Sequence, residues 1–157
     1  MAQFEQINIH GNIQQGVNIR KIVGFAGANL KEDLLLIQAL FNYIAKGMFP
    51  ELLGLGGDNN IPEITGEMDA DTSTAIVAFQ IRNASRLLRH NFDGRIHPAS
   101  YKGRVIKDET KPLMCITLLH IMATDTAVFN GDHDYSQALA NLNPELAHYL
   151  DQSLFSL

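Results

Sequence analysis

From Pro112 to Ala127 the chain is apolar nearly all the way round a helix. Leu113, Met114, Ile116, Leu118, Leu119, Ile121 and Met122 leave it no continuous polar face. A helix of that pattern has to be enclosed, either by its own fold or by an oligomer contact. Enclosing it takes a sizeable core. The chain has 157 residues, 46% of them hydrophobic, which suits one compact domain or a small module with extensions. The same composition excludes a disordered tail and a collagen-like fibre. The single cysteine, Cys115, excludes an intramolecular disulfide framework and a cysteine-based zinc site.

Charge is distributed unevenly. The formal net charge is −5, which argues against a general nucleic-acid binder. Between Arg82 and Lys111, however, eight basic residues face three acids. That stretch is +5 and the remainder −10. The residues from Met1 to Gly16 lack the basic start and apolar core of a secretory signal. No stretch approaches the roughly 20 apolar residues of a membrane helix. A chain synthesised in the cytoplasm, without a recognisable signal peptide and without membrane association, is the expectation.

Ile7 and Ile9, then Val17 and Ile19, alternate with polar residues around Gly11-Asn12. They predict two short strands, as a hairpin or as an arm that pairs only in an assembly. Leu34, Ile37, Phe41 and Ile44 recur at helical spacing over 31–46, with Asn29 as the expected N-cap and Gly47 as the stop. Residues 48–68 read as a long loop with one helical turn at Pro50–Leu53, either functional or a tolerated insertion. A second helix is expected over 70–88, capped by Asp69 or Asp71 and burying Ala75, Ile76 and Phe79. Arg82, Arg86 and Arg89 would then share one face. A turn at 91–94 and a partly β-like stretch at 104–106 follow. The apolar helix starts at Pro112. Asn130-Gly131-Asp132 forms a turn, and 135–142 a short helix. Asn143-Pro144-Glu145 opens a last helix to about Phe155, burying Leu146, Tyr149 or Leu150, and Leu154. No internal repeat stands out.

The residues point to binding rather than catalysis. None of the six histidines has a zinc-protease spacing, and no nucleophile elbow, phosphate-binding loop or dinucleotide fingerprint is present. His120 reads as a satisfied core histidine and Cys115 as a buried, inert thiol. Asp132-His133-Asp134 reads as a solvated turn. The carboxylates Glu63, Glu67, Asp69 and Asp71 suit a loop and a helix cap better than a glycosidase pair. No catalytic residue, no metal and no cofactor are expected.

Three ordered segments carry a family likeness. The first is Gly27-Ala28-Asn29 followed by Asp33-Leu34-Leu35-Leu36-Ile37-Gln38-Ala39-Leu40-Phe41-Asn42. The second runs from Gly66-Glu67-Met68-Asp69 through Thr72 and Ala75-Ile76 to Phe79-Gln80. The third is Asp93-Gly94-Arg95-Ile96-His97-Pro98-Ala99-Ser100-Tyr101. Together, over residues 27–101, they resemble the peptidoglycan-binding domain family, a small three-helix module often attached to cell-wall hydrolases. Thr65, Asp69, His97 and Ser100 depart from the family pattern. Asp at a turn-glycine position is sterically feasible. Gln38 and Gln80 are expected to tie loops together through amide hydrogen bonds.

The resemblance implies a mainly α fold. This would be a small orthogonal three-helix bundle with a short N-terminal β-hairpin and extra C-terminal helices. The expected division is an N-terminal arm over 1–26, the module over 27–101 and a helical extension over 102–157 packed on it. The implied function is non-catalytic binding of peptidoglycan, glycan or stem peptide. Gln80, Arg82, Asn83, Arg86, Asp93, Arg95 and Tyr101 are the implied ligand-binding set, since guanidinium groups pair bidentately with carboxylates. Modules with this opening also resemble those attached to type VI secretion effectors and phage-like injection tips, which implies action in the periplasm after non-classical delivery. The alternative is an interaction module that keeps the fold without the glycan site. It would serve as an adaptor, immunity or assembly component and meet a protein partner through 102–157 or the N-terminal strands.

Overall fold

A computed structural model describes residues 3–9, 12–57, 60–89, 92–99, 112–133 and 135–150, with side chains described from Val17 onward except that of Tyr149. The described chain is mainly helical with two short antiparallel sheets. Strands β1 (Gln3–Ile9) and β2 (Asn12–Asn18) pair from Gln3 opposite Asn18 to Ile9 opposite Asn12, the hairpin arrangement of the two expected. Strand β3 (Val23–Gly24) pairs with β4 (Arg95–Ile96), fastening the start of the chain to its middle.

Helix α1 (Lys31–Gly47) is the spine. Thirteen of its residues are buried, Asp33 to Ala45 without interruption, so it is covered on every side beyond its first turn. Helix α2 (Ala70–Arg82) crosses beside it, and Phe41 meets Phe79 edge-to-face with ring centroids 5.8 Å apart. Helix α3 (Cys115–Asn130) packs along α1. Its residues from Cys115 to Ala123 are all buried, so the apolar helix is enclosed by its own chain. The short α4 (Tyr135–Leu142) and the single turn α5 (Leu146–Tyr149) close over α1 and complete the same core.

Several boundaries move from the sequence expectation, each for a local reason. Asn29 does not cap α1. It stands at φ +50° one residue before the N-cap position, and its amide holds the Gly24 N–H and the Gly24 and Gly27 carbonyls. Gly47 stays helical, and Met48 ends the helix. Helix α2 stops at Arg82, not near Leu88, because the Asn83 amide turns back to the Phe79 carbonyl and donates to Leu52. A 3₁₀ turn over Ala84–Arg86 follows, and Leu87 then forms a parallel bridge with Leu113. That bridge keeps Leu113 extended and delays α3 to Cys115. Past Tyr149, Leu150 turns extended and buries its side chain, ending the last helix early. The expected strand at 104–106 and the burial of Leu154 lie outside the described residues.

Candidate functional site

Two turns in this fold are built alike. The Gln38 side chain on α1 accepts the Gly66 N–H at 2.9 Å and donates to the Glu67 carbonyl at 2.9 Å. The Gln80 side chain on α2 accepts the Gly94 N–H at 2.9 Å and donates to the Arg95 carbonyl at 2.9 Å. In each turn the residue before the glycine accepts the N–H two residues on: Thr65 Oγ1 from Glu67, Asp93 Oδ1 from Arg95. Gly66 and Gly94 both take left-handed φ, +77° and +71°. Three residues before each glutamine, Leu35 and Val77 lie against the turn glycine. Gln38 also holds Thr72 Oγ1, and Asp69 caps α2 through the Thr72 N–H at 2.7 Å.

The fold therefore does contain a short repeat, one helix plus one pinned turn. Only the glutamine, the glycine and a few apolar flanks recur. The distance from glutamine to glycine is 28 residues in one copy and 14 in the other, which hides the repeat from a fixed-period reading.

The two turns differ in what lies over them. Lys31, seven residues before Gln38, runs across Gly66, whereas the matching position before Gln80 is Ser73. The second turn opens onto a groove of about 500 Å³ lined by Phe25, Ser73, Val77, Gln80, Ile81, Phe92, Asp93 and Gly94. Phe25 is 76% exposed, Ile81 70%, Phe92 46% and Val77 43%, so four apolar side chains gather in water on one open face. Phe25 reaches this face because its N–H bonds the Gly94 carbonyl beside the β3–β4 pair. Asp93 is the charged member of the lining. Partial burial pushes its carboxyl up, but bonds from His97 and the Arg95 N–H outweigh this and hold it below the ordinary carboxylate range. His97 Nε2 lies 2.7 Å from Asp93 Oδ2.

The residues singled out from sequence separate here. Gln80 and Asp93 belong to the groove, with Gln80 itself engaged beneath the surface. Arg95 follows them in the turn, and its Nε is buried without a partner among the described residues. Arg82 points the other way, donating from Nε to the Glu51 carbonyl, and Asn83 is buried against Leu52. Arg86 sits on the 3₁₀ turn, so Arg82, Arg86 and Arg89 do not form one helical face. Tyr101, Ser100 and four of the eight basic residues between Arg82 and Lys111 lie outside the described residues.

Phe25, Val77, Ile81 and Phe92 escaped the sequence reading. Val77 and Ile81, at i and i+4 on α2, form a second apolar stripe offset from the buried Ile76 and Phe79, and that stripe was the available signal.

Elsewhere, Cys115 is fully buried, and burial pushes its thiol up to about 12, as an inert core cysteine requires. His120 is buried and bonds the Tyr135 hydroxyl through Nδ1, but its Nε2 has no partner among the described residues. It is thus a half-satisfied core histidine. Tyr43, beside Tyr135, donates to Asp132 Oδ2 at 2.6 Å, so Asp132 ties its turn to α1. Among the described residues no group of three or more His, Cys, Asp or Glu is placed to hold a metal ion, and no helix is long and apolar enough to cross a membrane. Comparisons with protein-family models, curated proteins and solved structures give no match.

Proposed function

We propose that the protein is a non-catalytic binding module whose binding face is the groove between α2 and the Phe92–Gly94 turn. The observation that carries this is the gathering of Phe25, Val77, Ile81 and Phe92 on one open, aromatic-bearing face above a turn rigidly pinned by Gln80. The architecture proposed is a variant of the peptidoglycan-binding-domain bundle, with the Thr65-Gly66 and Asp93-Gly94 turns at the family's motif positions. Thr65 stands where the family has Asp, and its hydroxyl accepts the N–H two residues on, from Glu67, as Asp93 accepts that of Arg95 in the other turn.

Of the two ligand classes, a protein partner fits the groove better. Its exposed lining is mostly apolar, while Arg82, Asn83 and Arg86, which were to meet stem-peptide carboxylates, lie off it. The partner surface is then this groove rather than α3, most of which is buried in the chain's own core.

Peptidoglycan is the second reading. It is supported by the resemblance and by Phe25 and Phe92, whose rings could stack on sugar faces beside the Asp93 carboxylate. That reading carries with it periplasmic action after delivery by a type VI-like route.

The test is affinity capture from the source organism alongside sedimentation with insoluble sacculi, each with wild type and with Val77→Asp/Ile81→Asp. A stoichiometric protein partner lost in the variant supports the first reading. Retention on sacculi lost in the variant supports the second. Binding to neither, or binding to either unchanged by the variant, removes the groove as the binding face.

A further inference from the structure

The duplicated turn offers a precedent for what the groove holds, because the face over the first turn is already occupied. Two contacts seat the chain's own segment Asn143–Leu146 there. The Asn143 amide donates to the Ile64 carbonyl at 3.4 Å and Glu145 pairs with Lys31 at 3.0 Å, while Leu146, the next residue, is fully buried. Ile64 stands two residues before Gly66, as Phe92 stands two before Gly94. Lys31 stands seven residues before Gln38, as Ser73 stands seven before Gln80. The first face is therefore covered by a short polypeptide turn that brings an amide, an apolar side chain and a charge opposite to that of the face.

The second face is open and its charge is reversed. Lys31 is replaced by Ser73, and Thr65 by Asp93, whose carboxylate is one-third exposed beside the apolar lining. We propose that this groove takes a short polypeptide segment of a partner protein, one that presents an apolar side chain next to a lysine or arginine. The apolar side chain would lie among Val77, Ile81, Phe25 and Phe92, and the basic group at Asp93, as Glu145 lies at Lys31.

The inference rests on the groove being the binding face, and its test separates the two. A displayed random-peptide library is selected on the full-length protein. Enriched peptides are then measured against wild type, Val77→Asp/Ile81→Asp and Asp93→Asn. The same proteins are sedimented with sacculi, and folding is checked by thermal melts. The expected result is enrichment of an apolar–basic pair. Binding should weaken at least tenfold in the double variant and several-fold in Asp93→Asn. Enriched peptides without basic residues, or bound equally by all variants, overturn the proposal. Groove-dependent retention on sacculi with no peptide enrichment keeps the binding face and overturns the polypeptide occupant. No binding in either arm overturns both.

Discussion

Two amide side chains carry much of the local order. Gln80 holds the Gly94 N–H and the Arg95 carbonyl, and Gln38 holds two N–H groups, one carbonyl and two hydroxyls. Truncation would strand these groups in a part-buried setting. Gln80→Ala should cost about 1–3 kcal/mol, with Gln38→Ala at the upper end, read as a lowered urea midpoint at constant slope.

Two buried titratable groups set opposite edges of the pH range. Burial holds His120 neutral in the fold down to about 3, against 6.5 unfolded, so the unfolded chain takes up the proton first. The His120 contribution is intact above pH 6.5 and is lost progressively as pH falls below it toward 3. The Cys115 thiol stays protonated to about 12 against 9.0 unfolded, so stability falls as pH rises from 9 toward 12. Denaturant titrations across pH should show a shallower acid limb in His120→Gln and a shallower alkaline limb in Cys115→Ala. Both side chains were legible as core residues, because their neighbours in sequence are apolar. That His120 Nε2 has no partner among the described residues was not legible, because it depends on which elements pack over α3.

At the scale of elements, the pinned turns show what sequence can and cannot convey. The helix stripe of α1 and the tethering role of both glutamines follow from local periodicity and side-chain chemistry, and the structure bears them out; of the two expected caps of α2, Asp69 and Asp71, it is Asp69 that serves. The end of α2 does not follow, because it is set by Leu52, whose carbonyl is 31 residues from the Asn83 amide that binds it. The groove was hidden for the same reason: Phe25 reaches it only through the β3–β4 pairing. The two turn glycines should respond unequally to alanine. At Gly94 a Cβ meets only Val77 Cγ2 at 3.6 Å, leaving the left-handed strain of about 1–2 kcal/mol. At Gly66 it would also fall 2.8 Å from Lys31 Cγ and 3.2 Å from Leu35 Cγ. Gly66→Ala should therefore lower the melting temperature more than Gly94→Ala. Equal effects would mean that the first turn is not covered as described.

At the scale of the molecule, α1 decides whether a 27–101 module can stand without its extension. Beyond its first turn it is buried on every side, and α3, α4 and α5 all pack against it. Removing them would expose a face of α1 and leave Leu36, Leu40, Tyr43 and Ile44 without part of the core they share with Leu119, Leu139 and Leu146. At about 25 cal/mol per Å² of apolar surface, exposing about 200–600 Å² of this core would offset the 5–15 kcal/mol by which a domain of ordinary size is stable. The exposed Lys31–Glu145 pair adds little to this packing, and Glu145→Gln should shift the urea midpoint only slightly. The full chain should unfold in one transition, with far-ultraviolet dichroism and tyrosine fluorescence tracing the same curve. A fragment ending at residue 101 should lack a cooperative transition. A fragment that melts sharply by itself would show that the core divides at α1, with the C-terminal helices an addition to the fold rather than its closing side.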